Sequence, residues 1–147
     1  MKELIQLLHE KPCTLVIKRG DEIRTYHQRG VTDLMTLLHN DPQFLQEAIV
    51  ADKVVGKAAA ALMIKGGINQ LYTDVLSKPA WDLLKEQSYI AVQFRRLVGH
   101  IENRSKTDWC PLEKLCLTKE SIEDIYQTIS DFMEKQKLQN NNLNTTE

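Results

Sequence analysis

Two residues near the start of a predicted helix have side chains that could carry out catalysis. Cys110 directly precedes Pro111, and proline favours the first turn of a helix. A thiol at a helix N-terminus is stabilised as thiolate by unpaired N–H groups and the helix dipole, so Cys110 is a candidate nucleophile. Glu113 follows at the spacing of a capping box and is a second catalytic candidate. The alternatives are a half-buried structural cysteine and a glutamate that satisfies N–H groups at the helix start.

A second set of charged residues could hold an anion. We expect a helix over residues 52–65, with Asp52 near its start and with Lys53 and Lys57 four residues apart on one face. A helix start binds anions through its free N–H groups, which makes these three residues candidate ligand contacts. The alternative is an amphipathic helix with solvated lysines. Lys57 is next to the run Ala58–Ala61, which must be buried, and both interpretations stay open.

Further ligand contacts are predicted in the polar loop over residues 99–108. His100, Asn103 and Arg104 follow an apolar segment that is typical of a buried strand. In open α/β sheets, ligands bind beyond the carboxyl ends of the strands, so this loop is well placed for binding. His100 could also serve as a general base for Cys110. The alternative is that each of these residues is a polar side chain on the protein surface with no role in binding.

The elements that must position these residues alternate along the chain. Gly20-Asp21 between two β-type runs predicts a hairpin, and helices and strands follow it in turn. This order predicts an α/β fold, a three-layer sandwich whose mixed sheet is opened by the hairpin and covered by helices. Strands are expected near residues 14–18, 22–27, 68–75 and 89–94. Helices are expected over residues 2–10, 32–38, 52–65, 79–87, 111–117 and 121–137. We expect a single domain over residues 1–137 and a polar, disordered tail over residues 138–147.

Composition restricts the kinds of binding partner and the cellular compartment that we expect for this protein. The chain has 147 residues, 19 basic and 20 acidic, so its net charge of −1 offers no general attraction to nucleic acid or anionic membranes. Its three cysteines are an odd number, and the N-terminus lacks the apolar core of a secretory signal. We therefore expect a cytoplasmic protein with free thiols, no membrane partner and no nucleic-acid partner.

Three stretches of sequence resemble a known family. Ala51–Ala60 (Ala-Asp-Lys-Val-Val-Gly-Lys-Ala-Ala-Ala), Asn103-Arg104 and the motif Cys110-Pro-Leu-Glu113 are similar to the domain-of-unknown-function 1893 family. The resemblance covers about residues 2–135 and implies a cytidine-deaminase-like fold. Zinc deaminases carry His-x-Glu or Cys-x-Glu on one helix and Pro-Cys-x-x-Cys on another. Here the first region has no such residue, and Glu113 stands where a second cysteine would be. We therefore expect neither a metal site nor any other cofactor.

Together these features predict a catalytically divergent deaminase-like domain that binds a small anionic or nucleotide-like ligand. The pocket would lie between the start of the Asp52 helix and the start of the Cys110 helix. One alternative is a zinc-independent enzyme that uses Cys110 as nucleophile, and another is a protein-interaction module with a vestigial pocket. Whether the protein is an enzyme, which small molecule it binds and whether it forms a homo-oligomer stay open.

Overall fold

The structure, a computed structural model, describes residues 1–28, 31–103 and 105–145. Within these residues the chain forms five strands, six α-helices and a short 3₁₀ turn at Pro42–Phe44. The strands are β1 Leu15–Arg19, β2 Glu22–Tyr26, β3 Ile49–Val55, β4 Gln70–Ser77 and β5 Ala91–Val98. The helices are α1 Lys2–Glu10, α2 Thr32–Asn40, α3 Lys57–Gly66, α4 Lys78–Gln87, α5 Pro111–Cys116 and α6 Ile122–Thr145.

The strands form one mixed sheet with the order β2-β1-β3-β4-β5. β1 is antiparallel to both β2 and β3, whereas β3, β4 and β5 run parallel to one another. The hairpin turns at Gly20, whose φ of 59° lies in the left-handed region that glycine adopts without strain. The predicted α/β fold with a hairpin and a helix-covered mixed sheet is therefore confirmed.

Helices cover the two faces of the sheet unequally, which gives three layers. On one face, α1 packs Leu4 and Leu8 against Val16, Ala51 and Tyr72 of the sheet. The other face carries the larger core, built with residues of α2 to α6. α3 lies at the centre of this layer, and its alanines at 58–61 are buried as expected. Small side chains let the backbone of α3 approach the sheet closely.

The predicted helix over residues 52–65 is wrong in its first part. Residues 49–55 form β3, which pairs with β1 on one side and β4 on the other. The helix begins only at Lys57, directly after Gly56. Ile49, Val50, Val54 and Val55 are β-branched and favour a strand, but two charged residues interrupt the run and an alanine-rich helix follows it. Those two features concealed the central strand of the sheet.

The last helix is longer than predicted. α6 runs to Thr145, whereas the sequence placed its end near Lys137 and a disordered tail beyond it. The proposed domain boundary at residue 137 stays a prediction. Within the described part of the chain, no helix combines the length and the apolar character that a membrane span requires.

Candidate functional site

Three chain segments meet at the carboxyl edge of the parallel strands. β3 leads into Gly56 and the start of α3, β4 ends at Ser77 where α4 begins, and β5 leads into the loop that contains Ile101. Because β3, β4 and β5 are parallel, these three exits lie at the same edge of the sheet. This edge is where open α/β sheets place their binding sites.

The carboxylate of Glu113 joins the three segments. Its Oε1 accepts hydrogen bonds from the backbone N–H of Lys57 at 2.8 Å and from the hydroxyl of Ser77 at 2.9 Å. Its Oε2 accepts from the backbone N–H of Ile101 at 2.5 Å. The residue is only 2% exposed, so these donors replace the water that a buried carboxylate loses. Glu113 thus satisfies an N–H at a helix start as expected, but the helix is α3 and not its own helix α5.

The close approach of Glu113 to α3 depends on Gly56. A Cβ atom at this position would lie 3.0 Å from the Oε1 of Glu113 and 3.2 Å from the Cγ1 of Ile101. Both distances are shorter than ordinary contacts, so any larger residue at this position would require the side chains of Glu113 and Ile101 to shift.

Lys57 is buried beside this carboxylate. It is 8% exposed, and its ammonium donates a hydrogen bond to the carbonyl oxygen of Leu117 at 3.0 Å. Among the described residues, no carboxylate lies within ion-pair distance of this ammonium. The expectation that Lys53 shares a helix face with Lys57 is wrong, since Lys53 belongs to β3.

An open cleft of about 620 Å³ lies next to Lys57. α4 contributes Lys78, Asp82 and Glu86 to its lining, and Trp109 and Glu120 contribute from the segments around α5. The indole ring of Trp109 stacks on the imidazole of His100, with ring centroids 4.5 Å apart and planes within 1°. The cleft therefore combines a buried cation, an aromatic ring and several carboxylates.

Asp52 does not contribute to this cleft. It lies on β3 between Leu15 and Thr73, and its side chain accepts a hydrogen bond from the N–H of Val54 at 3.4 Å. The pKa of its carboxyl is raised to about 7, mainly by burial and to a smaller extent by the charges of Asp33 and Asp74, against two backbone hydrogen bonds that lower it. The predicted helix start at Asp52 is therefore wrong, because α3 begins only at Lys57. The predicted pocket between that helix and the Cys110 helix stays a prediction.

The predicted loop residues lie at different places. Asn103 is half-buried and bonds within its own loop, where its side-chain oxygen accepts from the N–H of Thr107 at 3.0 Å. His100 reaches the cleft region through its stack on Trp109. Arg104 lies outside the described residues. Of the five predicted ligand-binding residues that the structure describes, Lys57 is the one that lines the cleft.

Cys110 occupies the position before the first residue of α5, as predicted, and is half-buried. Its backbone N–H donates to the carbonyl of Ile101 at 2.7 Å, which ties the start of α5 to the loop after β5. Cys116 at the end of the same helix is fully buried, and burial raises the pKa of its thiol to about 11. The thiols of Cys110 and Cys116 therefore differ in their exposure to solvent.

Comparison with known proteins assigns the chain to a family. The family model described as domain of unknown function DUF1893 matches residues 3–133. The chain belongs to the DUF1893 family. A crystal structure of the DUF1893 family protein TM1506 from Thermotoga maritima is similar, with a TM-score of 0.81 and 25% identity over 88% of this chain and 87% of that chain. No curated protein matches.

The described part of this DUF1893 domain brings together no group of three histidine, cysteine, aspartate or glutamate side chains that could hold a metal ion. The expectation that the protein works without metal or cofactor stays a prediction. Cys110 and Glu113, the two candidate catalytic residues of the Cys-Pro-x-Glu motif, both lie at the start of α5.

Sequence reasoning missed Ser77, although a local signal was present. Ser77 precedes Lys78-Pro79, which is typical of a helix N-cap followed by proline in the first turn. Its hydroxyl oxygen accepts from the N–H of Ala80 at 3.2 Å while the hydroxyl donates to Glu113. The capping role could have been predicted. The bond to Glu113 could not, because the two residues are 36 positions apart.

Proposed function

We propose that this DUF1893 domain binds a small anionic, nucleotide-like ligand in the cleft along α4, with the ammonium of Lys57 as the anion contact. The observation that carries the proposal is the buried ammonium at the cleft, which has a carbonyl oxygen as partner and, among the described residues, no carboxylate. The protein places a cation where water is partly excluded and leaves its charge unmatched by an ion pair.

The energetics of burial support this assignment. Removing an ammonium from water is costly unless a counter-charge and hydrogen bonds replace the lost hydration. An ammonium has three donors, and the carbonyl of Leu117 uses one of them. An anionic ligand would supply both the missing counter-charge and further acceptors.

The role of Glu113 limits how the anion can bind. The first N–H of α3 is already engaged by the Glu113 carboxylate, so it is not free to receive a ligand oxygen. The anion is therefore proposed to contact the side chain of Lys57, on the cleft side, and not the helix start that the sequence suggested. Trp109 provides an aromatic surface in the same cleft, which suits a ligand with a planar ring.

The relationship to cytidine deaminases is also a proposal. Its support is the meeting of α3 and α5 at the strand ends, where Glu113 of the Cys-Pro-x-Glu motif bonds to Lys57. By the resemblance, these two helices correspond to those that carry zinc ligands and the proton-transfer glutamate in deaminases. At that place this chain has a carboxylate engaged by three donors, so we propose a binding role in place of deamination.

The alternative with Cys110 as nucleophile has weaker support. His100, its proposed base, is stacked on Trp109, and the contacts of the described residues include no hydrogen bond from its ring to the thiol of Cys110. The third hypothesis, an interaction module with a vestigial pocket, is tested by the same experiment as the proposal, since it expects no ligand.

The proposal is tested by titrating inorganic phosphate and nucleoside 5′-monophosphates into the isotope-labelled protein and following its amide resonances. We expect saturable shifts in α4 and around Lys57, and a loss of affinity of about tenfold or more in Lys57→Met, because a charge-assisted hydrogen bond is removed. Lys65→Met is the matched control, since Lys65 lies on the same helix but pairs with Glu123 at 2.6 Å.

Two results would contradict the proposal. One is the absence of saturable binding of every anion by the wild-type protein. The other is unchanged affinity in Lys57→Met, once circular dichroism and urea unfolding have shown that the variant is folded.

A further inference from the structure

We propose that the outer edge of β5 binds an extended acidic segment of another protein, which pairs with β5 as an additional strand of the sheet. This edge lies apart from the cleft, since none of the residues that line the cleft belongs to β5. The two surfaces can therefore be tested independently of each other.

The backbone of β5 is open on one side. β5 lies at the end of the sheet and, among the described residues, pairs with β4 alone. The N–H of Ala91 donates to the carbonyl oxygen of Asn69 at 3.1 Å, so the backbone groups of Ala91 are directed towards β4. Because these groups alternate in direction along a strand, those of Val92 and Phe94 are directed to the open side. Such a row of N–H and C=O groups can pair with another chain.

The two edges of the sheet differ in length and in charge pairing. β5 has eight residues, five of them exposed, and Trp81 of α4 packs on Phe94 with ring centroids 5.5 Å apart. This contact anchors the strand to the core. β2, at the opposite edge, has five residues, and its Arg24 is paired with Glu22 and Asp41. β5 is therefore the longer edge, and it is fixed in place.

The charge of the β5 edge determines which kind of strand it favours. Arg95 and Arg96 are adjacent and both exposed. Among the described residues, no carboxylate lies within ion-pair distance of either guanidinium. Opposite charges on neighbouring strands stabilise the pairing, and like charges destabilise it. The edge thus favours a strand with carboxylates, whereas pairing with β5 of a second copy would bring four guanidinium groups together.

Exposed apolar side chains flank the two arginines. Tyr89, just before β5, is fully exposed, and Leu97 is 44% exposed. A strand bound along the edge would cover part of this apolar area, which adds to the stability that backbone pairing provides. Tyrosine is also a residue type that often contributes strongly to protein–protein binding.

Three peptides matched to β5 in length test the proposal. The first is acetyl-Thr-Val-Thr-Glu-Glu-Thr-Val-Thr-amide, whose adjacent glutamates can face the adjacent arginines. The second has lysines in place of the glutamates, and the third keeps the glutamates but carries methyl groups on its central backbone nitrogens. Titration of the isotope-labelled protein should give saturable amide shifts in β5 and none in β2. The acidic peptide should bind roughly three- to thirtyfold more tightly than the lysine peptide, with a preference that shrinks as salt is added.

A charge-swap variant separates recognition from loss of structure. Arg95→Glu/Arg96→Glu should bind the lysine peptide more tightly than the acidic one, a gain that a misfolded edge could not produce. Lys135→Glu/Lys137→Glu changes the net charge by the same amount on an exposed part of α6 and should keep the wild-type preference. Circular dichroism and urea unfolding establish that both variants are folded.

Four results would overturn the proposed edge site, and each would leave the anion site at Lys57 standing. The first is the absence of saturable shifts in β5, or equal affinity of the wild-type protein for the acidic and lysine peptides. The second is a preference for the acidic peptide that persists in Arg95→Glu/Arg96→Glu. The third is undiminished binding of the methylated peptide, which would exclude backbone pairing. The fourth is concentration-dependent self-association with shifts in β5, which would assign the edge to a second copy.

Discussion

Glu113 shows how a single side chain can connect distant parts of this fold. Its three donors come from the start of α3, the end of β4 and the loop after β5. Sequence spacing within the Cys-Pro-x-Glu motif correctly suggested that Glu113 accepts from N–H groups at a helix start. It suggested the wrong helix, because a spacing of three residues reports only on the local turn, whereas the actual partner Lys57 is 56 positions away.

We expect Glu113→Ala to destabilise the protein by about 3–5 kcal/mol, since it leaves buried donors on Lys57, Ser77 and Ile101 without an acceptor. Glu113→Gln should cost less, because its amide oxygen can still accept. The free energy of unfolding is measured by urea denaturation, with the exposed Glu120→Gln as control, expected within about 0.5 kcal/mol of wild type. A Glu113→Ala protein as stable as the control would contradict this account.

The boundary between β3 and α3 illustrates what local patterns can and cannot specify. The alanine run correctly predicted a buried helix through Lys65, and Gly67, with φ of 80°, ends it as the Gly66-Gly67 pair suggested. The strand before it was missed because Asp52 and Lys53 resemble the charged first turn of a helix. What makes these residues a strand is pairing with β1 and β4, which lie on either side.

Packing at the end of α3 leads to a prediction that opposes helix propensity. A Cβ at Gly66 would lie 2.8 Å from the Cδ1 and 2.9 Å from the Cβ of Leu45, a fully buried residue that cannot easily move. Alanine is normally the better helix former by about 1 kcal/mol. We nevertheless expect Gly66→Ala to lower the free energy of unfolding by about 1–3 kcal/mol through overpacking.

Gly99→Ala is the matched control for Gly66→Ala, because nothing lies within 4 Å of a Cβ at Gly99. Thermal or urea unfolding of both variants checks the prediction. A Gly66→Ala variant that is more stable than wild type would show that Leu45 can repack.

The sheet and its two helical layers together bury Asp52. The charges of Asp33 on α2 and Asp74 on β4 add to the effect of burial by raising the pKa of its carboxyl. Burial, the largest cause, raises the pKa of its carboxyl to about 7, from about 3.9 in an unfolded chain. The folded state therefore retains a proton that the unfolded state releases between these two values. The stability that Asp52 contributes is fully present below about pH 4 and is lost as the pH rises through 7.

We therefore expect Asp52→Asn to gain stability relative to wild type as the pH rises. The difference in free energy of unfolding should grow by roughly 2–4 kcal/mol between pH 4 and pH 7.5, since each unit of pKa corresponds to about 1.4 kcal/mol. Urea denaturation across this range measures it. A difference between Asp52→Asn and wild type that stays constant over this pH range would contradict the assigned burial effect.

Patterns of neighbouring residues were enough to predict the hairpin at Gly20, the amphipathic α1, the buried α3 and the α/β fold. Each of these features depends on interactions within a few positions, where turn preference, periodicity and side-chain size act directly. For the same reason the sequence could place Cys110 before the first turn of α5 and Lys57 against the core.

The tertiary structure decided which of these residues act together. The order β2-β1-β3-β4-β5 brings the ends of three parallel strands to one edge, and only there do Lys57, Ser77 and Glu113 meet. The cleft along α4 likewise combines distant segments, since Gln87 bonds to the carbonyl oxygen of Glu120, 33 positions later, and both residues line it. Such contacts follow from how packed layers satisfy buried donors and acceptors, and the spacing of residues along the chain carries no record of that.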